Sequence, residues 1–260
     1  MDNKNKSLEE FNRLLAIIDE LRVKCPWDMK QTNESLRKLT IEETYELADA
    51  ISSGSNDGIK NELGDLMLHL VFYAKIASEN GSFTMTDVLQ GINRKLIYRH
   101  PHVFGDVKVS GASEVEENWE QLKIKENKGY KPVLSGVPAS LPAIIKANRI
   151  QEKVRGVGFD WENREEIWDK VQEELSELKA EINDHNIAAI ESELGDVLFS
   201  IINAARLYEI DPEAALEKTN RKFIKRFNYL ENETLKKGKS LHDMSLDEMN
   251  VIWEKAKKED

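Results

Sequence analysis

Residues 61–67 read NELGDLM and residues 192–198 read SELGDVL, so the chain contains Glu-Leu-Gly-Asp twice. In both places the flanking apolar residues recur at helical spacing. The stretches upstream match as well, because IEETYELADAI precedes the first copy and QEELSELKAEI precedes the second. The two copies therefore predict a helical unit that occurs twice in the chain.

The match between the two halves extends beyond this stretch. A shift of 127 positions places NRKLIYR at 93–99 onto NRKFIKR at 220–226, and a shift of 134 places WEQLK at 119–123 onto WEKAK at 253–257. The order of segments is kept while the loops between them differ in length, which indicates duplication of one unit. A shift of 131 positions aligns, without a gap, Glu42, Glu43, Glu46, Glu62, Gly64 and Asp65 with Glu173, Glu174, Glu177, Glu193, Gly195 and Asp196.

An all-α fold of two tandem helical-bundle domains is predicted, because helical apolar spacing dominates and no segment shows sustained strand alternation. The main break is NKGYKPVLSGVPASLPA at 127–143, whose three prolines and two glycines are typical of a connector. We therefore expect an N-terminal domain at 1–126, a linker at 127–148 and a C-terminal domain at 149–260.

Helix starts are predicted where a capping residue precedes a segment with helical apolar spacing. In a capping box, a hydroxyl and a carboxylate three residues apart each bond the backbone of the other residue. Asp211 followed by Pro212 is a related signal, with proline in the first turn. The predicted capping boxes are Ser7 with Glu10, Thr40 with Glu43, and Ser245 with Glu248.

The composition limits the partners and the compartment. The net charge of -11 disfavours a broad basic face, so no direct nucleic-acid binding is expected. The longest apolar stretch, at 66–74, is too short to span a bilayer, so no membrane partner is expected. With Cys25 as the one cysteine and a polar N-terminal segment, we expect a reducing, cytoplasmic setting.

Eight carboxylates in the repeated segments are candidates for metal binding. Residues three apart share one face of a helix, and two antiparallel helices would bring two such pairs together. Crowded carboxylates need a neutralising cation, and oxygen ligands favour Mg²⁺, with Mn²⁺ as a substitute. The alternative is a solvated acidic face. The candidates are Glu43, Glu46, Glu62 and Asp65 in the first half and Glu174, Glu177, Glu193 and Asp196 in the second.

The two repeated glycines, Gly64 and Gly195, stand inside these predicted helices. Glycine is about 1 kcal/mol less favourable than alanine in a helix interior. A missing side chain lets either a neighbouring helix or a ligand approach the backbone closely. Both interpretations are open from the sequence.

Cationic and aromatic residues also repeat at helical spacing. Lys222 and Arg226 are four residues apart and share a helix face, and Trp253 and Lys257 have the same spacing. A metal-bound polyphosphate needs cations for its remaining charge, and an indole offers a flat surface for a nucleobase. The alternative is that Trp253 is a core or lid residue and that the cations are surface residues.

Histidines are candidate ligands only in the first half. His100 and His102 flank a proline in RHPHVFG at 99–105, where they are either metal ligands or parts of an ordered loop. His69 falls one helical turn after Asp65, and the repeat places Ser200 at the corresponding position. Histidine is therefore not a shared requirement of the two carboxylate sets.

The sequence resembles the MazG family of nucleoside triphosphate pyrophosphohydrolases, in the all-α NTP pyrophosphatase superfamily. The resemblance covers almost the whole chain, and CPWD followed by RHPHVFGD is similar to the two-domain bacterial form. The motifs are CPWDMKQT (25–32), TIEETYELADAI (40–51), NELGDLMLHLVFYA (61–74), RHPHVFGD (99–106), GVGFDW (156–161), the repeat at 173–196 and IWEKAKK (252–258).

This resemblance implies Mg²⁺-dependent hydrolysis of NTPs and dNTPs to the monophosphate and pyrophosphate, as nucleotide-pool house-cleaning. It also implies a homodimer in which helices of two chains complete each bundle, and a C-terminal half that is the principal catalytic unit. The implied metal ligands are Glu174, Glu177, Glu193 and Asp196, and Glu43, Glu46, Glu62 and Asp65 match the same motif. The implied nucleotide-binding residues are Lys222, Arg226, Trp253 and Lys257.

The catalytic hypothesis assigns Lys222 and Arg226 to the charge on the phosphates in the transition state. Glu173 is the candidate for positioning the attacking water, although it lies off the main ligand face. Two other classes stay open. One is a non-catalytic interaction module whose acidic helices dock a basic partner. The other is a di-iron carboxylate bundle, which usually uses Glu-x-x-His pairs that neither motif contains.

Overall fold

A computed structural model describes residues 2–111, 114–115, 118–119, 122, 132–236, 238 and 240–259. The regular elements in these ranges are helical, as predicted, and none of these helices has the length and apolar character to cross a membrane. The chain divides into two compact units, residues 1–122 and 123–260. The helices are α1 (Asp2–Lys24), α2 (Asn33–Ser52), α3 (Asn56–Glu79), α4 (Met85–Arg99), α5 (Pro101–Phe104), α6 (Ala143–Arg155), α7 (Ile167–Asp184), α8 (Ile187–Leu207), α9 (Pro212–Lys236) and α10 (Leu246–Ala256).

The predicted linker at 127–148 lies partly outside the described ranges, which resume at residue 132. From there it contains the 3₁₀ helix Val133–Gly136, and α6 begins at Ala143 directly after Pro142. Because α6 packs against α8 and α9, residues 143–148 belong to the packed helices of the second unit.

The first unit is built around the α2–α3 hairpin. Helix α2 begins after a capping box that the sequence analysis missed, in which Thr32 and Ser35 bond each other's backbone. The hairpin turns at Gly54, whose φ of +69° is in the left-handed region that glycine adopts without strain. Helix α1 packs on α3, and the buried core contains Ile18, Leu36, Val71, Phe72 and Ile76.

The second unit repeats this hairpin as α7–α8. The connection is shorter, with His185 in the left-handed region and Asn186 capping α8 through a bond to the Ala189 N–H. Helix α6 takes the place of α1, and α9 packs against α6, α8 and α10. The buried residues here include Ile167, Val171, Val197, Leu230 and Ile252.

Two of the predicted helix starts are confirmed and two are wrong. Ser245 and Glu248 form a reciprocal capping box, and the Asp211 carboxylate accepts from the N–H groups of the first turn of α9. Ser7 and Thr40 instead lie inside α1 and α2. Each of these hydroxyls donates to the carbonyl four residues earlier, as hydroxyl side chains in helix interiors do.

Candidate metal centre and active site

Each hairpin brings three of the predicted carboxylates together from two helices. Within each set, one oxygen per residue lies within 4.8 Å of the others. Around one octahedral Mg²⁺ with Mg–O distances of roughly 2.1 Å, opposite oxygens are about 4.2 Å apart and adjacent oxygens about 3.0 Å. Either set would therefore have to contract by side-chain rotation to hold an ion. The sets are Glu43, Glu62 and Asp65 in the first unit and Glu174, Glu177 and Glu193 in the second.

The fourth predicted carboxylate of each half lies at the margin of its set. Glu46 and Asp196 are exposed, and neither belongs to the close group. Both still act through their charge, because Glu46 contributes to the raised pKa of Glu43 and Asp196 contributes to that of Glu193. They are therefore close enough to be outer ligands or electrostatic neighbours of a bound cation.

Crowding raises the pKa of one carboxyl group in each set. For Glu43 the largest cause is desolvation, and the next is the negative charge of Asp65. For the half-buried Glu193 desolvation is again the largest cause, followed by the charge of Glu177. Both causes disfavour the ionised form, so each set is under electrostatic tension that a divalent cation would relieve.

Lys170 is a cation beside the second set that the sequence analysis missed. Its Nζ lies 2.7 Å from Oε1 of the buried Glu174 and 3.0 Å from Oε1 of Glu173. The hydrogen bonds to Glu174 and Glu173 raise the pKa of Lys170 above its usual value. The i, i+4 spacing of Lys170 and Glu174 could have revealed this pair. Leu39 stands at the corresponding position of the first half.

Glu173 lies beside the second set rather than in it. Its side chain is 55% exposed, and its carboxylate accepts a hydrogen bond from Lys170. Because Lys170 also binds Glu174, one ammonium group links the exposed and the buried carboxylate. The role of Glu173 in positioning a water stays a prediction.

The predicted phosphate-binding cations lie on a different helix from the carboxylates. Lys222 and Arg226 are on α9, where Lys222 is exposed and Arg226 is half-buried. Helix α9 packs against α8, which carries Glu193. The fold thus places the two parts of the predicted site on neighbouring helices of one unit.

Trp253 packs against α9 from α10. Its ring centroid lies 5.0 Å from that of Phe223 at an interplanar angle of 55°, and Phe223 stacks on Phe227 at 6.3 Å. Trp253 is half-buried, so it is not a core residue and keeps accessible surface. Lys257, the other predicted nucleotide-binding residue of α10, is exposed and donates to Glu254 Oε1 at 2.5 Å.

Gly64 and Gly195 lie at open positions on α3 and α8. A methyl group added at either glycine would have no atom of the described chain within 4 Å outside its own stretch of helix. The interpretation of these glycines as contact points between helices of one chain is therefore wrong. Close approach of a ligand or of another chain stays a prediction.

His69 is buried next to the first carboxylate set but is not part of it. Its Nδ1 lies 3.4 Å from the Thr40 hydroxyl, which also lies 2.8 Å from the hydroxyl of Tyr73. Burial lowers the pKa of His69, and the charge of Asp65 opposes that shift. These contacts make His69 part of the polar packing between α2 and α3.

Comparison with known proteins places these features in a family. The model described as the MazG nucleotide pyrophosphohydrolase domain matches the chain twice, at residues 31–104 and 162–230, and each match contains one carboxylate set. Thermotoga maritima has a nucleoside triphosphate pyrophosphohydrolase/pyrophosphatase MazG that is 44% identical, with 95% of each chain covered.

Two further relatives extend this comparison. The nucleoside triphosphate pyrophosphohydrolase of Escherichia coli K12 is 39% identical, with 97% of this chain and 99% of that protein covered. YabN, an uncharacterized protein of Bacillus subtilis, is 45% identical over 95% of this chain, which corresponds to 52% of YabN. From the twofold domain match and the nearly full-length relatives, we conclude that the chain belongs to the MazG nucleotide pyrophosphohydrolase family.

Proposed function

We propose that the chain is a Mg²⁺-dependent pyrophosphohydrolase that converts NTPs and dNTPs to the monophosphate and pyrophosphate, in nucleotide-pool house-cleaning. The observation that carries this proposal is the convergence of Glu174, Glu177 and Glu193 in a unit whose next helix presents Lys222 and Arg226. The nearly full-length relatives from Thermotoga maritima and Escherichia coli are named for this activity.

The metal is assigned to the carboxylate sets because they offer only hard oxygen ligands and carry the electrostatic tension seen in the raised pKa of Glu193. Bound there, Mg²⁺ would supply charge to the phosphate oxygens and lower the pKa of a water. The ligands proposed for the second unit are Glu174, Glu177, Glu193 and Asp196. Those proposed for the first unit are Glu43, Glu46, Glu62 and Asp65.

Lys170 has two roles in this scheme. In the unliganded chain its ammonium group holds the buried Glu174 carboxylate in place through the 2.7 Å ion pair. With Glu174 serving as a metal ligand, the Lys170 ammonium group would be available to donate hydrogen bonds to a phosphate oxygen. Lys170 would thus hold the Glu174 carboxylate in position and would give it up to a metal ion.

The remaining predicted residues are assigned to the parts of the nucleotide. Arg226 can bind two phosphate oxygens through its planar guanidinium group, and Lys222 contributes a point charge that stabilises the developing negative charge. Trp253 offers its accessible indole surface to the base. Lys257 follows one helical turn later and is assigned to the phosphates. Glu173 is assigned to the attacking water.

An exposed apolar stripe on the Glu-Leu-Gly-Asp helix of each unit supports a homodimer. The residues are spaced i, i+4, i+7 and therefore lie on one helix face, with exposed fractions between 42% and 56%. We name them the ELGD stripes. They are Leu63, Met67 and Leu70 on α3 and, in the same register, Leu194, Leu198 and Ile201 on α8.

We propose that helices of a second copy cover these stripes and complete the bundles. Contiguous exposed apolar surface of this kind marks a protein contact, and helix bundles bury such faces in their core. The open positions at Gly64 and Gly195 on the same helices leave room for close approach. The repetition of the stripe in both units argues that the contact is a property of the duplicated unit.

The reaction is tested by incubating the full chain with each NTP and dNTP and Mg²⁺, and by resolving the products by ³¹P NMR. Monophosphate with pyrophosphate is the expected result. Diphosphate with orthophosphate would overturn the assignment of the cleaved bond while leaving a metal-dependent hydrolase. No turnover with any nucleotide would favour the interaction module, in which the acidic hairpins dock a basic partner.

A further inference from the structure

The first unit contains an aromatic cluster at the end of α4 that the proposed function does not use. The ring centroids of His100 and Trp119 are 6.2 Å apart at 39°, and those of His100 and His102 are 5.7 Å apart at 56°. Both imidazoles are half-buried, and Trp119 is 39% exposed. We name these three side chains the histidine platform.

The internal repeat relates the histidine platform to the nucleotide-binding end of the second unit. The shift of 127 that aligns NRKLIYR with NRKFIKR places His100 at Phe227, directly after Arg99 and Arg226. The shift of 134 places Trp119 at Trp253. In the second unit Trp253 packs on Phe223, and Phe223 in turn stacks on Phe227. By the same shift Leu96 stands at the position of Phe223, so Trp119 packs on the imidazole at the Phe227 position instead.

The hydrogen bonding of His100 fixes which ring nitrogen can serve a ligand. Its Nδ1 lies 2.7 Å from the carbonyl oxygen of Leu96. A carbonyl oxygen only accepts hydrogen bonds, so Nδ1 carries the proton and Nε2 of the neutral ring has a lone pair. The bond also satisfies a carbonyl in the last turn of α4, which is a structural role. Phe227 can stack but offers no acceptor.

We propose that the histidine platform binds the base of a nucleoside triphosphate in the first unit. Trp119 stacks on the base, and Nε2 of His100 accepts a hydrogen bond from a base N–H. This inference rests on the proposed function, from which it takes the class of ligand. Metal binding by the histidines is a poorer fit, because neither histidine belongs to a close group of three ligands among the described residues.

The consequence is a difference in selectivity between the units. A phenyl platform holds any base by stacking, since every base has an aromatic face. An imidazole acceptor also distinguishes bases by the position of their N–H donors, and an unmade hydrogen bond to a half-buried group weakens binding. The first unit should therefore discriminate among bases more strongly than the second.

The test uses the full chain with the second unit disabled by Glu193→Gln and Lys222→Ala. Binding of the four common NTPs and of inorganic tripolyphosphate is measured by calorimetry with Mg²⁺. The best NTP should bind more tightly than tripolyphosphate, and adding His100→Phe should weaken that NTP about tenfold while leaving tripolyphosphate unchanged. An N-methylated analogue of that NTP, without the N–H donor, should bind the parent and the His100→Phe chain equally.

Three other results would each contradict either the histidine platform or the proposed function. Equal weakening of the NTP and of tripolyphosphate by His100→Phe would reduce His100 to a helix cap and overturn the proposal. Absence of NTP binding to the disabled chain, with normal turnover by the unsubstituted chain, would overturn the platform and keep the proposed function. Base-dependent binding lost in His100→Phe, with no turnover by the unsubstituted chain, would keep the platform and overturn the proposed function.

Discussion

Each half contains a copy of the same helical hairpin, but the negative charge of its carboxylates is balanced differently in the two copies. In the second unit Lys170 lies within hydrogen-bonding distance of Glu174 and Glu173. In the first unit Leu39 stands at the position of Lys170, and Glu43 has a raised pKa among neighbouring carboxylates. A duplicated carboxylate motif therefore does not fix which cations neutralise its charge.

The membership of the close carboxylate groups differs as well. The first group includes Asp65, whereas the corresponding Asp196 lies at the margin of the second group. Conversely, Glu177 belongs to the second group, and its counterpart Glu46 does not belong to the first. The two units thus have the same helical hairpin but different arrangements of charged side chains on it. Each difference can be tested by a separate substitution.

The largest expected effect concerns which unit performs hydrolysis. Glu193→Gln keeps the side-chain volume and removes a charge from the second set. Changing a residue that only orients a metal ligand costs 10–100-fold, so losing a ligand should lower kcat/KM at least about a hundredfold. The equivalent Glu62→Gln in the first unit should cause a much smaller loss, because the family resemblance implies that the second unit is the principal catalytic one. Pyrophosphate release under Mg²⁺ measures both.

Circular dichroism and the thermal midpoint serve as the control, because both variants should keep the folded structure. A loss of kcat/KM for Glu62→Gln as large as that for Glu193→Gln would contradict the division of labour between the units. Near-normal activity of Glu193→Gln would contradict the assignment of the second set as the catalytic metal centre.

The next effect concerns the ELGD stripes. Leu198→Glu on α8 and Met67→Glu on α3 each place a carboxylate in an apolar contact. An uncompensated charge buried in an interface costs roughly 3 kcal/mol or more, so each variant should weaken dimerisation at least about a hundredfold. Sedimentation velocity over a range of concentrations measures the change and compares the two units.

Leu8→Glu is the matched control, since Leu8 is an exposed leucine of α1 outside both stripes. It should leave the sedimentation of the chain unchanged. An unsubstituted chain that sediments as a monomer at all concentrations would exclude the homodimer. A dimer that survives both stripe variants would place the interface elsewhere.

The all-α fold and the two hairpins could be predicted because helical apolar spacing and an internal repeat are long-range signals. The helix starts at Ser7 and Thr40 could not, because a capping box is only four residues long and also occurs by chance inside helices. There the hydroxyl bonds the preceding turn of helix instead of a free N–H. Thr32 with Ser35 formed the real cap of α2 without a carboxylate.

The positions of side chains in the candidate site could likewise be predicted only in part from the sequence. Spacing along a helix predicted which carboxylates share a face, and the hairpins brought three of each four together. It could not show that Glu174 becomes buried beside Lys170, because burial depends on packing between α7 and its neighbours. Helix spacing likewise gave no information on the open surface at Gly64 and Gly195.

A smaller effect is expected from exchanging the residues at the Lys170 position. Lys170→Leu removes a cation that competes for Glu174, so divalent ions should bind the second set about two- to fivefold more tightly, as a partly exposed ion pair allows. Turnover should fall, because a phosphate donor is lost. Leu39→Lys should weaken binding to the first set by a similar factor.

Electron paramagnetic resonance of Mn²⁺ measures these affinities separately. The second set is observed in a Glu62→Gln chain and the first in a Glu193→Gln chain. Lys170→Met serves as the control for side-chain shape. Weaker ion binding in Lys170→Leu would contradict competition between Lys170 and the metal, and would make Lys170 a structural support of Glu174 alone.

The smallest effect concerns stability and pH. The pKa values of Glu43 and Glu193 are raised above 4.5 in the folded chain, so the folded state binds more protons than the unfolded state just above that value. The contribution of these two groups to the free energy of unfolding must then fall as pH rises through the raised pKa values. In the Glu43→Gln/Glu193→Gln chain this contribution is absent, so its thermal midpoint should fall less between pH 4.5 and pH 7. Mg²⁺ should restore stability at pH 7 only in the unsubstituted chain, because it binds the ionised carboxylates. The single variants Glu43→Gln and Glu193→Gln measure the contribution of each unit. If the double variant has the same pH dependence of the thermal midpoint as the unsubstituted chain, neither set is under electrostatic tension.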